Sequence, residues 1–206
     1  MGKWISIVGL VLVLFTNLSY GEELSLASTS SAAKAQRWGI GIHGGYFGVP
    51  DFILDRVFAE HPSVSGSTFG IEARYYGDKG PDRIFNWLFS LDYGKFSGDG
   101  YWKEEEGDDL EYGKIDVSLI SFTATALWNI LPTKPVNPYI GIGIGVGLLK
   151  GTGKSQDEPE ESVSATIPVL HIPIGLNIKA SDKFHINLEG GFRDGFYGIG
   201  GARMLF

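Results

Sequence analysis

Cysteine is absent from this 206-residue chain, and positive charge is scarce. Without cysteine, the chain has no disulfide framework, no thiolate metal site and no cysteine to carry a lipid anchor. The formal net charge of −7 provides no basic patch for neutralising phosphates, so no nucleic-acid partner is expected. Glycine, in contrast, is abundant: the 30 glycines suit strands that pack closely or make room for large neighbouring side chains.

Long apolar runs are also missing, apart from one near the N-terminus. There, Lys3 precedes an apolar segment at 4–15 and small residues follow, which predicts a signal peptide over residues 1–21. Residues 22–36 are rich in serine and alanine without apolar periodicity, and we expect them to form a flexible periplasmic tail. Because no later segment reads as a transmembrane helix, any membrane span of the mature protein must consist of strands.

Alternation of apolar and polar residues predicts eight strands in the remainder of the chain. They are expected at residues 37–47, 67–77, 84–96, 112–130, 139–149 and 163–178, followed by two strands within 184–206 that meet at the hairpin dipeptide Asp194-Gly195. The apolar pattern changes phase twice. In the fourth strand a β-bulge near Leu119 and Ile120 would reconcile the two halves, and a similar slip is expected near Pro168 in the sixth.

The links between the predicted strands alternate in length. Long links at 48–66, 97–111 and 150–162 alternate with short ones, which is the layout of a transmembrane β-barrel. The last strand ends at Phe206, with Met204 and Ala202 on the same face.

In these features the chain over 37–206 resembles the small eight-stranded outer-membrane barrels of the OmpA and OmpX type. The resemblance implies an all-β, antiparallel, up-and-down transmembrane barrel in the bacterial outer membrane. It also implies that the barrel assembly machinery recognises the strand ending at Phe206, and that outer-membrane lipids and lipopolysaccharide surround the barrel. A secreted or periplasmic barrel or sandwich is the alternative, with the two faces exchanged.

The apolar face carries aromatic residues at two levels, which is typical of the girdles at the two membrane interfaces. These aromatics are Trp38, Trp87, Trp128 and Phe206 toward the short turns, and Tyr46 and Tyr93 toward the long loops. The opposite face is expected to form a lumen charge network of Glu72, Arg74, Asp92, Asp116, Glu189, Arg193 and Arg203. Eight strands enclose a space that side chains just fill, so these charges must pair. Inward glycines on the first and fifth strands leave a narrow water path as the alternative.

Two further kinds of site are considered for the predicted lumen. His185 and Glu189 share its face and could orient a base for a nucleophile. Lipid A deacylases among the small barrels use a His-x-Ser pair, whereas Asn187 stands at the matching position here. The strand histidines lie on three separate strands, so neither a metal site nor a cofactor is predicted.

The first long loop is expected to contain a short amphipathic helix, with apolar residues at helical spacing. The candidate binding residues of this helix are Phe52, Ile53, Leu54, Val57 and Phe58. Such a helix could cap the lumen, lie among headgroups or bind a ligand. The other two long loops are dense in carboxylates, which are expected to be solvated, with weak divalent-cation binding as the alternative.

The sequence therefore favours a structural or surface-binding, adhesive role that the extracellular loops display. The alternatives are a narrow conduit for a small hydrophobic solute and a lipid-modifying enzyme. No oligomeric state is indicated.

Overall fold

A computed structural model describes residues 36–55, 59–102, 111–155, 161–193 and 195–206. Its eight strands form one closed antiparallel barrel in which each strand pairs with its sequence neighbours and the first pairs with the last. The strands are β1 (Trp38–Gly48), β2 (Ser65–Tyr75), β3 (Phe85–Trp102), β4 (Glu111–Asn129), β5 (Val136–Ser155), β6 (Glu161–Lys179), β7 (Phe184–Arg193) and β8 (Phe196–Leu205). The predicted up-and-down barrel is confirmed, and no helix in these ranges is long and apolar enough to cross a membrane.

Alternating side chains separate an apolar outer surface from a mostly polar interior. In β5, Ile140, Ile142 and Ile144 are exposed on the outer surface, while the glycines between them face inward. The outward aromatics lie at the two expected levels. At the short-turn end, the rings of Trp38 and Tyr75 stand 4.8 Å apart. The remaining predicted aromatics also face outward, with Trp87 half-exposed and Tyr46, Tyr93, Trp128 and Phe206 exposed.

The predicted bulge in β4 is wrong. Residues of β4 pair one-to-one with β3 without interruption, so Leu119 faces inward and Ile120 faces outward. The predicted slip near Pro168 is also wrong, because β6 keeps a constant register with β5 across it. The apolar pattern changes phase for another reason: the inner face itself becomes apolar toward the long-loop end, where Val169 is buried.

The four central strands are much longer than expected. β3 to β6 have 18–20 residues, against 10 or 11 in β1, β2, β7 and β8. The described residues of the predicted loops 97–111 and 150–162, namely 97–102, 111, 150–155 and 161–162, are therefore strand. We call the part of β3 to β6 at residues 95–102, 111–118, 150–155 and 161–164 the extended sheet.

The first long loop contains a helix, α1 (Asp51–Leu54), of one turn. Phe52 is exposed, and Leu54 packs against apolar side chains at the long-loop end of the lumen. Ile53 belongs to α1, whereas the predicted helix residues Val57 and Phe58 lie outside the described residues. A 3₁₀ turn at Gly80–Asp82 forms the short link between β2 and β3.

Candidate functional site: the lumen and the extended sheet

The polar layer of the lumen contains equal numbers of buried acidic and permanently basic side chains. Within the described residues these are the carboxylates Glu72, Asp92 and Glu189, the guanidinium groups Arg74, Arg193 and Arg203, and the imidazoles His43, His171 and His185. All nine are less than 9% exposed. Three negative and three positive charges cancel, which lets them lie in a space without bulk water.

Glu72 and Arg203 form a buried ion pair. The Nε of Arg203 donates to Glu72 Oε1 at 2.8 Å, and Nη2 donates to the same oxygen. The Nη1 of Arg203 also donates to the hydroxyl of Tyr76 at 3.2 Å and to Asn177 Oδ1 at 3.3 Å. The pair therefore links β2 to β8 and, through Asn177, to β6.

Asp92 accepts bonds from several sides. Arg193 Nη1 lies 2.6 Å and His43 Nε2 2.5 Å from Asp92 Oδ1, while Ser90 donates to Oδ2 at 2.8 Å. The other ring nitrogen of His43 lies 3.5 Å from Glu72 Oε2. His43 consequently joins the two ion pairs into one cluster across β1, β2, β3, β7 and β8.

Arg74 and Glu189 are held by neutral groups instead. Arg74 donates to Asn86 Oδ1 at 2.6 Å and to Asn129 Oδ1 at 2.7 Å, and its guanidinium carbon lies 5.1 Å from the centre of the Tyr139 ring. Glu189 accepts from the hydroxyl of Tyr139 at 2.7 Å and from that of Tyr197 at 2.8 Å. Tyr139 thus stands between the two opposite charges, with its ring against Arg74 and its hydroxyl bound to Glu189.

The structure excludes one predicted member from the network. Asp116 faces outward from the extended sheet, because β4 has no bulge, and its carboxylate lies 2.9 Å from Lys114 Nζ. The other six predicted members, Glu72, Arg74, Asp92, Glu189, Arg193 and Arg203, lie together inside the barrel.

The candidate catalytic pair does not form. His185 Nδ1 accepts from Asn177, whereas Glu189 binds the two tyrosines. A different chain is present: Thr125 Oγ1 lies 2.8 Å from His171 Nδ1, and His171 Nε2 lies 2.8 Å from the Tyr197 hydroxyl, which donates to Glu189. Thr125 and His171 are completely buried, so this hydroxyl, imidazole and carboxylate have no open side for a substrate.

An apolar layer fills the lumen toward the long loops. Its buried members are Phe47, Val64, Phe96, Leu119, Tyr197 and Ile199. The rings of Phe47 and Phe96 pack with centres 4.5 Å apart. Between this layer and the ion pair of Asp92 with Arg193 remains a cavity of about 10 Å³, room for roughly one water molecule.

Inward glycines provide the space for these large side chains. A methyl group at Gly70 would stand 2.6 Å from Asp92 Oδ1 and 2.7 Å from His43 Nε2. One at Gly175 would stand 2.5 Å from the Tyr139 hydroxyl oxygen. On the two strands where a narrow water path was considered, a methyl group at Gly41 of β1 would stand 2.9 Å from Glu72 Oε1, and one at Gly143 of β5 would overlap Thr125 Oγ1. Side chains therefore occupy the space beside these glycines.

Sequence reasoning missed most of the neutral partners in the network. Asn86, Tyr139 and Tyr197 are in phase with the inward charges of their strands or of the adjoining strands, which is the signal that could have identified them. Within the described ranges, no group of three or more histidine, cysteine or acidic side chains could hold a metal ion.

An apolar outer band, two aromatic levels and a closed, filled lumen define this protein as a β-barrel that spans a membrane with its strands. The chain belongs to the outer membrane protein β-barrel domain family, whose model matches residues 24–201. It is therefore a protein of the bacterial outer membrane. By the layout of such barrels, the short turns are periplasmic and the long loops extracellular.

Solved structures of similar fold include Neisserial surface protein A. The two chains share 16% identity, with 82% of this chain and 96% of that one covered and a TM-score of 0.50. Ail, the attachment invasion locus protein of Yersinia pestis, was solved in complex with the heparin analogue sucrose octasulfate. It shows 18% identity over 84% of this chain and 99% of its own, with a TM-score of 0.49. No curated protein matches this sequence.

Proposed function

We propose that this protein is a non-catalytic, non-conducting barrel that presents the extended sheet at the cell surface as a binding, adhesive platform. The observation that carries the proposal is the length of β3 to β6. A tilted strand crosses the hydrocarbon core with about 9–11 residues. β1, β2, β7 and β8 have 10 or 11 residues, whereas β3 to β6 have 18–20.

The additional length is ordered as a sheet. On β3 and β4 the extended sheet has eight residues per strand, which at about 3.3 Å each is some 25 Å of strand beyond the membrane, while β5 and β6 contribute six and four residues. β3 and β4 stay paired as far as Trp102 and Glu111, and β5 and β6 as far as Gly153 and Glu161. Four paired strands form a surface that is stiffer than a loop of the same length.

One side of this sheet is an open edge. Among the described residues, the pairing of β6 with β7 begins at His171, and residues 161–169 have a paired strand on the β5 side alone. The exposed backbone of an edge strand can pair with an extended segment of another protein. Near the tip of the extended sheet, the exposed rings of Tyr101 and Tyr112 lie 5.5 Å apart on the outer face. Aromatic residues are enriched in protein–protein interfaces, so this pair is suited to contact a partner protein.

The lumen supports anchoring rather than transport or catalysis. Among the described residues, the ion pairs and the apolar layer above them fill the lumen, and the cavity between them has about 10 Å³, which is room for roughly one water molecule. The chain of Thr125, His171, Tyr197 and Glu189 is buried in the lumen. A filled interior holds the extended sheet in a fixed orientation.

The test is to shorten both hairpins in register. Residues 97–116 and 152–162 would each be replaced by Asn-Gly, which cuts the strands at the paired positions Ser97–Asp116 and Thr152–Ser162. The shortened barrel should still migrate faster unboiled than boiled in detergent. Cells that display it should lose adherence to cultured cells and to immobilised serum or matrix proteins. Unchanged adherence relative to the full-length barrel would overturn the proposal.

A further inference from the structure

A row of four outward side chains crosses the base of the extended sheet. Lys95 pairs with Ser118, Ser118 with Lys150, and Lys150 with Ser164, so the four stand side by side on β3 to β6. Neighbouring strands are about 4.8 Å apart, which places the two lysine backbones roughly 10 Å from each other with a serine between them. We call these four residues the lysine row.

The lysine row lies in a groove of about 470 Å³ on the outer surface. The row above it contributes the hydroxyls of Thr152 and Ser162, together with Asp116. That carboxylate is already paired with Lys114 at 2.9 Å. Within the described ranges, the lysines that form ion pairs are Lys114 and Lys179. The ammonium groups of Lys95 and Lys150 form no ion pair in those ranges and can bind an anionic ligand.

The position of the row relative to the apolar band limits what can occupy it. One step below, Tyr93, Ile120 and Leu148 are exposed in register, and they continue into the outward aliphatic band. Tyrosine is enriched where hydrocarbon meets headgroups. The lysines therefore lie at headgroup level on the extracellular side, directly above the acyl chains.

We propose that the lysine row binds the phosphate groups of a phosphorylated lipid of the outer leaflet. The two ammonium groups complement a headgroup that carries more than one phosphate, and the hydroxyl of Ser164 donates to a phosphate oxygen. The hydroxyl of Ser118 donates to the Lys150 carbonyl at 3.4 Å. The acyl chains of the same lipid lie along Tyr93, Ile120 and Leu148 below. The inference rests on membrane placement alone and not on the adhesive role, because the lysine row remains intact in the shortened barrel.

The test uses the full chain, purified and folded in detergent, with native mass spectrometry as the readout. The probes are bisphosphorylated lipid A, the same lipid after enzymatic dephosphorylation, and inorganic phosphate as competitor. The site variant is Lys95→Gln with Lys150→Gln. The matched control is Lys134→Gln with Lys183→Gln, which removes two exposed lysines at the short-turn end.

We expect the wild type and the matched control to bind the bisphosphorylated lipid with equal affinity. The site variant should bind it roughly 10- to 30-fold more weakly, since each basic residue near an anionic headgroup contributes about five-fold. Dephosphorylated lipid should bind all three proteins alike. Equal affinity in the site variant, an equal loss in the matched control, or displacement of the lipid by inorganic phosphate at similar concentration would each overturn the proposal. The unboiled gel mobility of each variant establishes that it is folded.

Discussion

Replacing Arg203 with methionine should destabilise the barrel by about 3–5 kcal/mol, because the substitution leaves the Glu72 carboxylate buried without its cation. Arg203 is 1% exposed and Glu72 is 4% exposed. Two guanidinium nitrogens donate to the same carboxylate oxygen, and the remaining contact of Glu72 with an ionisable group is the ring of His43 at 3.5 Å. A methionine of similar length cannot replace those donors.

The loss of unfolding free energy in Arg203→Met distinguishes a lumen filled by side chains from one filled by water. If water filled the barrel, the same pair would behave like a surface ion pair and its loss would cost about 0–1 kcal/mol. In a filled lumen the uncompensated charge dominates. Removing both charges in the double variant Glu72→Gln with Arg203→Met should therefore recover most of the lost stability, because no unpaired ion remains.

The assay is equilibrium unfolding in urea in lipid vesicles, followed by tryptophan fluorescence and by the unboiled gel shift. The matched control is Asp78→Asn, which removes an exposed ion pair with Arg37 at 2.9 Å and should leave the unfolding curve at the wild-type position. The reasoning is refuted if Arg203→Met costs less than about 1 kcal/mol, or if the double variant is as unstable as the sum of the two single variants.

Three further predictions concern the glycines, the phase of β4 and the first loop. Gly70→Ala should cost about 1–3 kcal/mol in the same unfolding assay because its methyl group would overlap Asp92 and His43, whereas Gly198→Ala, with open space around it, should be tolerated. Leu119→Ala should cost about 2–4 kcal/mol because it truncates a buried side chain, while Asp116→Asn should leave stability nearly unchanged. If Asp116→Asn instead cost more than Leu119→Ala, Asp116 would lie inside the lumen, as the predicted bulge requires. Partial burial lowers the pKa of His61, but its hydrogen bonds to Asp55 and to the Pro62 carbonyl raise it more, so the pKa lies above the usual 6.5. The contact therefore stabilises the first loop fully below pH 6.5 and is lost as the pH rises through the raised pKa. Asp55→Asn should lower the pKa of His61 in an NMR titration, and an unchanged titration would contradict this assignment.

The periodicity of the sequence predicts the barrel well because alternation is imposed by lipid on one face. Every strand must present apolar residues to the membrane, so the alternation of Ile140, Ile142 and Ile144 predicts β5 whatever residues stand between them. The inner face is under no such uniform constraint. The composition of the inner face changes along the barrel axis from the ion pairs to the apolar layer. The sequence of a single strand does not distinguish that change from a shift in register.

The error in β4 follows from that limit. A bulge and a change in inner-face polarity both shift the phase of apolar residues, and only the pairing register separates them. Near the level of Leu119 the inner face is also apolar on neighbouring strands, at Phe96 on β3 and Val169 on β6. A comparison across strands would therefore have favoured a change in inner-face polarity over a bulge. The misplaced bulge also placed Asp116 inside the lumen.

The extended sheet was missed for a different reason. Beyond the membrane no lipid contacts the outer face, so the polar residues around Asp99 and Thr152 carry no hydrophobic alternation and read as loop. Strand structure there is maintained by continuation of the backbone ladder from below. Similarly, Asn129 is 55 residues from Arg74 and Tyr139 is 50 residues from Glu189, and closure of the barrel brings these partners together.

The most direct test of the central claim, that the apolar face contacts lipid while the extended sheet is extracellular, uses single cysteines. The natural chain contains none, so each introduced thiol is a unique probe. Ile144→Cys lies on the exposed apolar face of β5, and Thr152→Cys lies on the same strand in the extended sheet. On intact cells, a water-soluble maleimide should label the cysteine at 152 rapidly and leave that at 144 unlabelled, while a lipid-soluble maleimide should reach the latter. Rapid labelling at 144 by the water-soluble reagent would contradict the account, because the apolar face would then lie in water.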